Sequence, residues 1–360
     1  ALGGRVEIIM AASVETVRPA DPLISLVVPV FNEEDSVGLF TDTVKQVFRN
    51  APFRYEIVFV NDGSTDRTWQ RLGALADQEP CLCLVNLSRN FGKEIALTAG
   101  IDHARGDAVV PMDVDLQDPP ELVLTFVERW QEGYDVVYGV RKNRKFDTFT
   151  KRVSAAVFYR VINHLSQVKM PENAGDFRLI DRRVVDVLKQ LPERTRFMKG
   201  LFAWVGFPSI AVSYDRQPRA AGITKWSQWR LWNLALEGVT SFSTAPLRIW
   251  TYLGLAVAAM SFALGTFILL RTLLFGADLP GYASLFTTVT FLGGIQLLSI
   301  GVLGEYLGRV FSETKQRPVY IVESVHPATG EESARLATGS GERCRQPRAM
   351  SDDMANVAQR

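Results

Sequence analysis

Residues 107–120 read DAVVPMDVDLQDPP, which is an apolar, β-branched run followed by two aspartates and by two prolines of the kind that open helices. Similar strand-like runs are ISLVVPV (24–30), YEIVFV (55–60), CLCLVNL (81–87) and YDVVYGV (134–140). Helical patterns over 66–78, 93–103 and 119–132 separate the later runs. Strands that alternate with helices predict an α/β domain with a mostly parallel sheet. Ligands of such sheets bind beyond the carboxyl ends of the strands.

Polar residues follow three of these strands at the point where each strand ends. Glu33 follows the first strand, Asn61–Ser64 follows the second, and Asp113, Asp115 and Gln117 follow the fourth. Acidic groups on one rim repel each other unless a cation or hydrogen-bond donors lie among them. Two aspartates spaced by two project to one face of an extended segment, which suits Mg²⁺ or Mn²⁺. For residues 61–64 alone, a tight turn that caps the next helix is the alternative.

Composition excludes several classes of protein. The 360 residues are 47% hydrophobic and 22% charged, which excludes a disordered or collagen-like chain. The 40 Lys and Arg balance 39 Asp and Glu, so we expect no nucleic-acid partner. Three Cys and three His without zinc or disulfide spacing predict a reducing compartment and no structural metal. Positive charge is concentrated locally, in residues 141–145.

Two uncharged stretches late in the chain, 249–270 and 281–304, are long enough to cross a ~30 Å hydrocarbon layer. Their connecting loop carries Arg271 and Asp278, whereas the outer flanks carry more Lys and Arg. The positive-inside rule therefore predicts both termini in the cytoplasm. A pair of buried core helices is the alternative interpretation.

The stretch between the soluble domain and the first span is rich in tryptophan. Trp226, Trp229 and Trp232 are spaced by three, which favours amphipathic helices in the membrane interface, with an ordinary core helix as the alternative. The predicted division of the chain is a flexible N-terminal tail (1–22), a catalytic domain (23–224), interfacial helices (225–248), two transmembrane helices (249–274 and 281–305) and a cytoplasmic C-terminal tail (306–360), largely disordered after about residue 326.

Five motifs carry a family resemblance: PVFNEE (29–34), NDGSTD (61–66), SRNFGKE (88–94), DVDLQDP (113–119) and GDFRL (175–179). They resemble the motifs of glycosyltransferase family 2, whose catalytic domain has the Rossmann-like GT-A fold. Within that family the chain is most similar to the membrane-bound polyprenyl-phosphate (bactoprenol) glucosyltransferases, which are relatives of dolichol-phosphate mannose synthase. The resemblance runs from about residue 24 to residue 317.

The resemblance implies roles for individual residues. The nucleotide sugar is bound by Pro29, Glu33, Asp62 and Asp113. A Mg²⁺ or Mn²⁺ that bridges the diphosphate is bound by Asp115, Asp113 and Gln117. Asp176 and Asp115 are the predicted catalytic residues. Asp176 lies near the reacting centre, where it acts either as a base or as a positioning group.

An anionic acceptor needs cations, and arginine forks suit phosphate oxygens. We therefore expect Arg141, Arg178 and Lys225 to bind the acceptor phosphate, while the neighbouring cations face lipid headgroups. For Asp176 and Arg178 the alternative is a structural ion pair.

The predicted function is inverting transfer of a hexose, glucose from UDP-glucose, to undecaprenyl or another polyprenyl phosphate at the cytoplasmic face of the bacterial inner membrane. The lipid-linked sugar would then serve cell-surface glycan modification. Mannose from GDP-mannose, and aminoarabinose or N-acetylhexosamine from UDP donors, are the alternative sugars. Family analogy further predicts a multi-pass homotetramer and a lipid-linked sugar flippase that acts downstream.

Two other classes of protein fit less well. A processive polysaccharide synthase would carry Gln-x-x-Arg-Trp, but the nearest string here is QWRLW (228–232), and two spans are too few for a polymer channel. A non-enzymatic membrane scaffold would explain the apolar helices but not the three acidic strand ends.

Overall fold

The computed structural model describes residues 18–141, 174–215 except 192, 195 and 197, 245–275 and 281–328. The strands of this part of the chain are β1 (Leu23–Val30), β2 (Arg54–Asn61), β3 (Leu82–Leu87), β4 (Ala108–Pro111), β5 (Val136–Arg141), β6 (Ala174–Asp181), β7 (Ser209–Tyr214) and β8 (Val322–His326). The helices are α1 (Ser36–Phe48), α2 (Thr68–Ala76), α3 (Lys93–His103), α4 (Leu122–Gln131), α5 (Arg182–Gln190), α6 (Met198–Trp204), α7 (Ala245–Phe275) and α8 (Tyr282–Thr314).

The strands form one sheet in the order β7-β5-β6-β4-β1-β2-β3-β8. Parallel pairs join β1 to β2 and β4, β2 to β3, and β5 to β7. Only β6 and β8 run antiparallel to their neighbours. Each of the five predicted strand runs is a strand of this sheet, so the predicted α/β class with a mostly parallel sheet is confirmed.

Helices cover both faces of the sheet because strands such as β1, β3 and β4 are almost wholly buried and mostly apolar. On one face α1, α2 and α4 bury large side chains such as Phe40, Phe59 and Trp130. On the other face α3, α5 and α6 pack over residues such as Val27 and Leu97. Each large apolar side chain buried in this way contributes about 1.5–3 kcal/mol of hydrophobic stabilisation.

Helix α3 lies close against the sheet at Gly100. A Cβ atom at this position would lie 2.3 Å from Val27 Cγ1 and 3.0 Å from Val60 Cγ2. Any larger residue would therefore push the helix away from β1 and β2. The close packing fixes the first residue of α3, Lys93, at the edge where the parallel strands end.

Strand β8 is a part of the sheet that the sequence analysis did not predict. The sequence predicts a tail over residues 306–360, whereas Val322–His326 pairs antiparallel with β3. Ser88 N donates to Ile321 O at 3.0 Å, and Asn86 Nδ2 donates to Glu323 Oε2 at 2.9 Å. The chain that follows α8 thus returns to the sheet and covers the edge of β3.

Helices α7 and α8 expose large apolar side chains along their lengths, among them Phe262, Leu273 and Leu297. Within them, Ile249–Phe267 and Phe291–Thr314 are long and apolar enough to cross a membrane. The second of these segments begins and ends later than the predicted span at 281–305. The predicted interfacial helices at 225–248 lie almost entirely outside the described residues.

Contacts with the sheet begin before the predicted domain boundary at residue 23. Arg18, which the analysis assigned to the flexible tail, donates from Nη2 to Tyr134 O at 2.9 Å and to Asp135 Oδ1 at 3.0 Å. Its guanidinium also lies 4.9 Å from the centre of the Trp130 ring. The segment before β1 is therefore attached to the turn that precedes β5.

Candidate active site

A cavity lies at the edge of the sheet where β1, β4 and β5 end. Because β6 runs antiparallel to β4 and β5, its first residues reach the same edge. The cavity is lined by Pro29, Lys93, Leu97, Pro111, Met112, Asp113, Asp118, Arg141, Gly175, Asp176, Phe177 and Lys199. Four of the residues singled out from the sequence, Pro29, Asp113, Arg141 and Asp176, thus meet in one place.

Lys93 joins the two principal carboxylates of the cavity. Its Nζ lies 2.6 Å from Asp113 Oδ1 and 3.4 Å from Asp176 Oδ2. Burial by itself would lower the pKa of Lys93, but Asp113 and Asp176 outweigh burial and raise the pKa. Lys93 therefore remains an ammonium that separates and neutralises two negative charges, one on the loop after β4 and one on β6.

Asp176 is held as a carboxylate by surrounding cations. Burial raises the pKa of Asp176, yet Lys199, Lys93 and Arg178 together bring the pKa below its usual value. Lys199 Nζ lies 3.9 Å from Asp176 Oδ1, and this buried oxygen accepts no hydrogen bond from the described residues. Asp176 is thus ionised and can attract positive charge, but it is a weak base.

Glu94 is a further acid that interacts electrostatically with Asp176, Lys93 and Lys199. Burial and the charge of Asp176 raise the pKa of Glu94 to about 7, while Lys199 and Lys93 partly oppose the rise. Glu94 Oε2 accepts a hydrogen bond from Met198 N at 3.2 Å. This bond ties the start of α6 to α3 and so sets the position of Lys199.

Asp62 supports the loop that leads into α3. Its oxygens accept hydrogen bonds from Phe91 N at 2.7 Å and Gly92 N at 2.9 Å, and these bonds oppose the increase of the Asp62 pKa that burial causes. The next residue, Gly63, has φ +65°, and a Cβ there would lie 2.4 Å from the Arg89 carbonyl carbon. In this structure Asp62 thus contacts the loop backbone and does not line the cavity.

Glu33 belongs to a turn beside the cavity. Its backbone N donates to Thr68 Oγ1 at 2.9 Å, and its Oε2 accepts a hydrogen bond from Ser36 Oγ at 2.8 Å. The turn therefore links the end of β1 to the starts of α1 and α2. Glu33 also lies outside the lining of the cavity.

The residues predicted to bind a divalent cation lie on the loop after β4. Asp115 Oδ1 accepts a hydrogen bond from Gln117 N at 3.2 Å. Gln117 Oε1 is buried and has no hydrogen-bond partner among the described residues, so it is an acceptor in need of a donor or a cation. Among all the residues that the structure describes, no group of three or more His, Cys, Asp or Glu has a geometry that could hold a metal ion. Two aspartates and one amide oxygen nevertheless fit Mg²⁺ or Mn²⁺, which keep water and phosphate ligands.

Of the three residues predicted to bind the acceptor phosphate, one lines the cavity, one does not, and one lies outside the described residues. Arg141 lines the cavity, with Nε 3.4 Å from Tyr214 Oη and Nη2 3.9 Å from Asp118 Oδ1. Arg178 does not line it, since its Nη2 donates to Gly175 O at 2.7 Å and its guanidinium lies 4.2 Å from the centre of the Phe202 ring. β6 alternates its side chains between the two faces, and Arg178 is buried under α6. Lys225 lies outside the described residues.

Several residues of the cavity were missed by the sequence analysis. Lys93 stands inside the quoted SRNFGKE motif, so that motif was an available signal for it. Asp118 likewise stands inside DVDLQDP, and it accepts a hydrogen bond from Tyr214 Oη. Nothing in the sequence pattern singles out Lys199, or Tyr214 behind Arg141 and Asp118, because both come from segments that only the fold brings to this edge.

Comparison with known proteins identifies the family of the chain. Residues 25–188 match the family model described as glycosyl transferase family 2, and residues 245–310 match the GtrB C-terminal hairpin. An SfII prophage-derived bactoprenol glucosyl transferase of Shigella flexneri is 52% identical over 303 residues, which are 84% of this chain and 98% of the relative.

The chain belongs to glycosyl transferase family 2. A prophage bactoprenol glucosyl transferase homolog of Escherichia coli is also 52% identical, over 84% of this chain and 99% of the relative. A crystal structure of glucosyl-3-phosphoglycerate synthase from Mycobacterium tuberculosis with Mg²⁺ and UDP is similar in fold, with 19% identity, 61% of this chain and 77% of that chain covered, and a TM-score of 0.44. The family model and the two relatives show that the chain is a glycosyltransferase.

Proposed function

We propose that this family 2 glycosyltransferase transfers glucose from UDP-glucose to a polyprenyl phosphate, with inversion, at the cytoplasmic face of the membrane. The observation that carries the proposal is the convergence of Asp113 and Asp176 with Lys93, Lys199 and Arg141 in one cavity. Carboxylates suit a cation and sugar hydroxyls, whereas the three basic groups suit phosphates. The names of the relatives, bactoprenol glucosyl transferases, support both the glucose and the lipid.

On the donor side, Pro29 and Asp113 line the cavity and would contact the nucleotide sugar directly. Glu33 and Asp62 would act through the turns that they hold. Asp113, Asp115 and Gln117 would hold Mg²⁺ or Mn²⁺. When bound, such an ion neutralises the charge that accumulates on the departing diphosphate.

On the acceptor side, a phosphate monoester is largely dianionic at neutral pH because its second pKa is about 6. A phosphate oxygen attacks the anomeric carbon, the bond from that carbon to the diphosphate oxygen breaks, and UDP leaves with the electron pair. No proton has to be removed from the nucleophile. This agrees with the lowered pKa of Asp176, which would stabilise positive charge on the sugar and orient the neighbouring cations instead of acting as a base.

The membrane location is supported by the two apolar helices, and the proposal includes a multi-pass arrangement with the catalytic domain and both termini in the cytoplasm. A homotetramer and a downstream flippase for the lipid-linked sugar remain parts of the same proposal.

Transfer assays with purified protein in detergent test the proposed function. With undecaprenyl phosphate and Mg²⁺, UDP-glucose should give a glucosylated lipid detected by mass, and UDP should be released in equal amount. A preference for GDP-mannose, or for a UDP-linked amino sugar, would contradict the proposed donor. Absence of any lipid product with every donor would contradict the proposed function.

A further inference from the structure

Of the two lysines that line the cavity, Lys199 makes one ion pair with the described residues and Lys93 makes two. Lys199 is the second residue of α6, and its side chain is 33% exposed. Its Nζ lies 3.9 Å from Asp176 Oδ1, which is beyond hydrogen-bond length, and no closer acceptor lies among the described residues. The ammonium group is attracted to Asp176 but keeps its N–H donors for another anion.

The other two cations of the cavity are more firmly engaged. Lys93 Nζ contacts Asp113 Oδ1 at 2.6 Å as well as Asp176 Oδ2 at 3.4 Å. Arg141 contacts Tyr214 Oη and faces Asp118. An incoming phosphate would compete with Asp113 for Lys93 and with Tyr214 for Arg141, whereas Lys199, which is about as exposed as Lys93 (33% against 40%), donates no hydrogen bond to the described residues.

We propose that Lys199 binds the phosphate of the acceptor beside Asp176, an inference that rests on the proposed function. A dianionic phosphate that approaches the ionised Asp176 meets electrostatic repulsion, so a cation is required between the two. Lys199 has the right charge, exposure and neighbourhood for that role. It takes the place that the sequence analysis gave to Arg178, which the structure buries against Phe202.

The same lysine chemistry also suits a phosphate of the donor. Binding of the donor is measured separately, as the Kd for UDP with Mg²⁺ by calorimetry, whereas acceptor binding is measured as the KM for undecaprenyl phosphate. The pair of measurements distinguishes a residue that binds the acceptor from one that binds the leaving group.

The test compares Lys199→Met with Lys45→Met, which removes a lysine paired with Glu79 on the remote helix α1. In Lys199→Met the KM for the lipid should rise on the order of ten- to a hundredfold, as expected when a hydrogen bond to a charged group is lost. Its Kd for UDP should stay within about twofold of the parent value. Lys45→Met should leave both constants unchanged, and Lys199→Arg should recover most of the acceptor affinity.

An unchanged KM for the lipid in Lys199→Met would overturn the inference, and so would a rise in the Kd for UDP as large as the rise in KM. If Lys199→Met fails to bind UDP because it does not fold, Lys199→Gln provides the same comparison with a polar side chain. Failure of the parent enzyme to use any polyprenyl phosphate would instead contradict the proposed function, so the two failures are distinguishable.

Discussion

The charged side chains of the cavity depend on one another, and Lys93 is central to them. It neutralises Asp113 from the loop after β4 and Asp176 from β6, two acids that would otherwise repel each other across the cavity. Lys199 and Arg178 add further positive charge around Asp176. Because all these groups contribute to one electrostatic balance, changing any of them alters the charge state or position of the others.

Among single residues, Asp115 is tested as a ligand of the proposed cation by the substitution Asp115→Asn. The amide oxygen of asparagine can still accept the hydrogen bond from Gln117 N, so we expect the free energy of unfolding to change by less than about 0.5 kcal/mol. The missing negative charge should lower kcat by about a hundredfold or more. Titration with Mn²⁺, followed by electron paramagnetic resonance, should show weaker binding in the variant. Equal Mn²⁺ affinity in the variant and the parent would argue against this role of Asp115.

Glu94→Gln tests the raised pKa of Glu94 through the pH dependence of stability. The folded-state pKa of Glu94 is about 7, above its ordinary value of 4.5, so the folded protein binds more protons than the unfolded chain between these pH values. Stability from this group therefore falls as the pH rises from about 4.5 to about 7. Glu94→Gln should lose that dependence and be more stable than the parent at pH 8, by on the order of 1 kcal/mol. Parallel stability–pH curves for the two proteins would contradict the assignment.

At the scale of elements, β8 protects an edge. Without it, β3 would present unpaired backbone groups, which favour pairing with another chain. Val325 pairs with Val85, and its side chain is 42% exposed. A substitution at Val325 therefore affects mainly the backbone pairing and removes little side-chain packing.

We expect Val325→Pro to lower the free energy of unfolding of the catalytic domain by about 1–3 kcal/mol, because proline removes a donor and constrains the strand. Amides of β3 should exchange faster with deuterium in this variant. The matched control is Val325→Thr, which keeps the backbone donor and a β-branched side chain and should match the parent. A normal exchange rate in Val325→Pro would show that β8 contributes little to the sheet.

For the whole molecule, the pairing of β8 with β3 constrains topology. The chain enters α7 from the catalytic side and must return to that side after α8, because β8 belongs to the catalytic sheet. Both helices therefore cross a membrane, or neither does. The length and exposed apolar surfaces of the helices favour crossing.

We expect Asp278→Cys, in a Cys344→Ser background, to react with a membrane-impermeant thiol reagent from outside intact cells. A protease tag after Arg360 should be cleaved only once the membrane is opened. Cys81 and Cys83 are partly or fully buried in the catalytic domain and serve as internal controls for leakage. Cleavage of the C-terminal tag in intact cells would contradict the predicted orientation.

Local sequence pattern determined the fold class and part of the candidate site. Alternating strands and helices, acidic strand ends and two apolar stretches are properties of consecutive residues, so the α/β class, the candidate carboxylates and the two long apolar helices are visible in the chain itself. Asp113 and Arg141 were identified from such patterns, whereas Pro29 and Asp176 were implied by the family resemblance, and all four line the cavity.

Only the tertiary structure decided which groups act together. Lys93 and Lys199 reach Asp176 from helices that are distant in sequence, and the burial of Arg178 depends on where α6 packs over β6. β8 was missed because a short, half-exposed strand has little pattern of its own and is stabilised by its partner, β3. Residue type and spacing set the chemistry that is available, whereas distances, burial and pKa values arise from packing between remote segments.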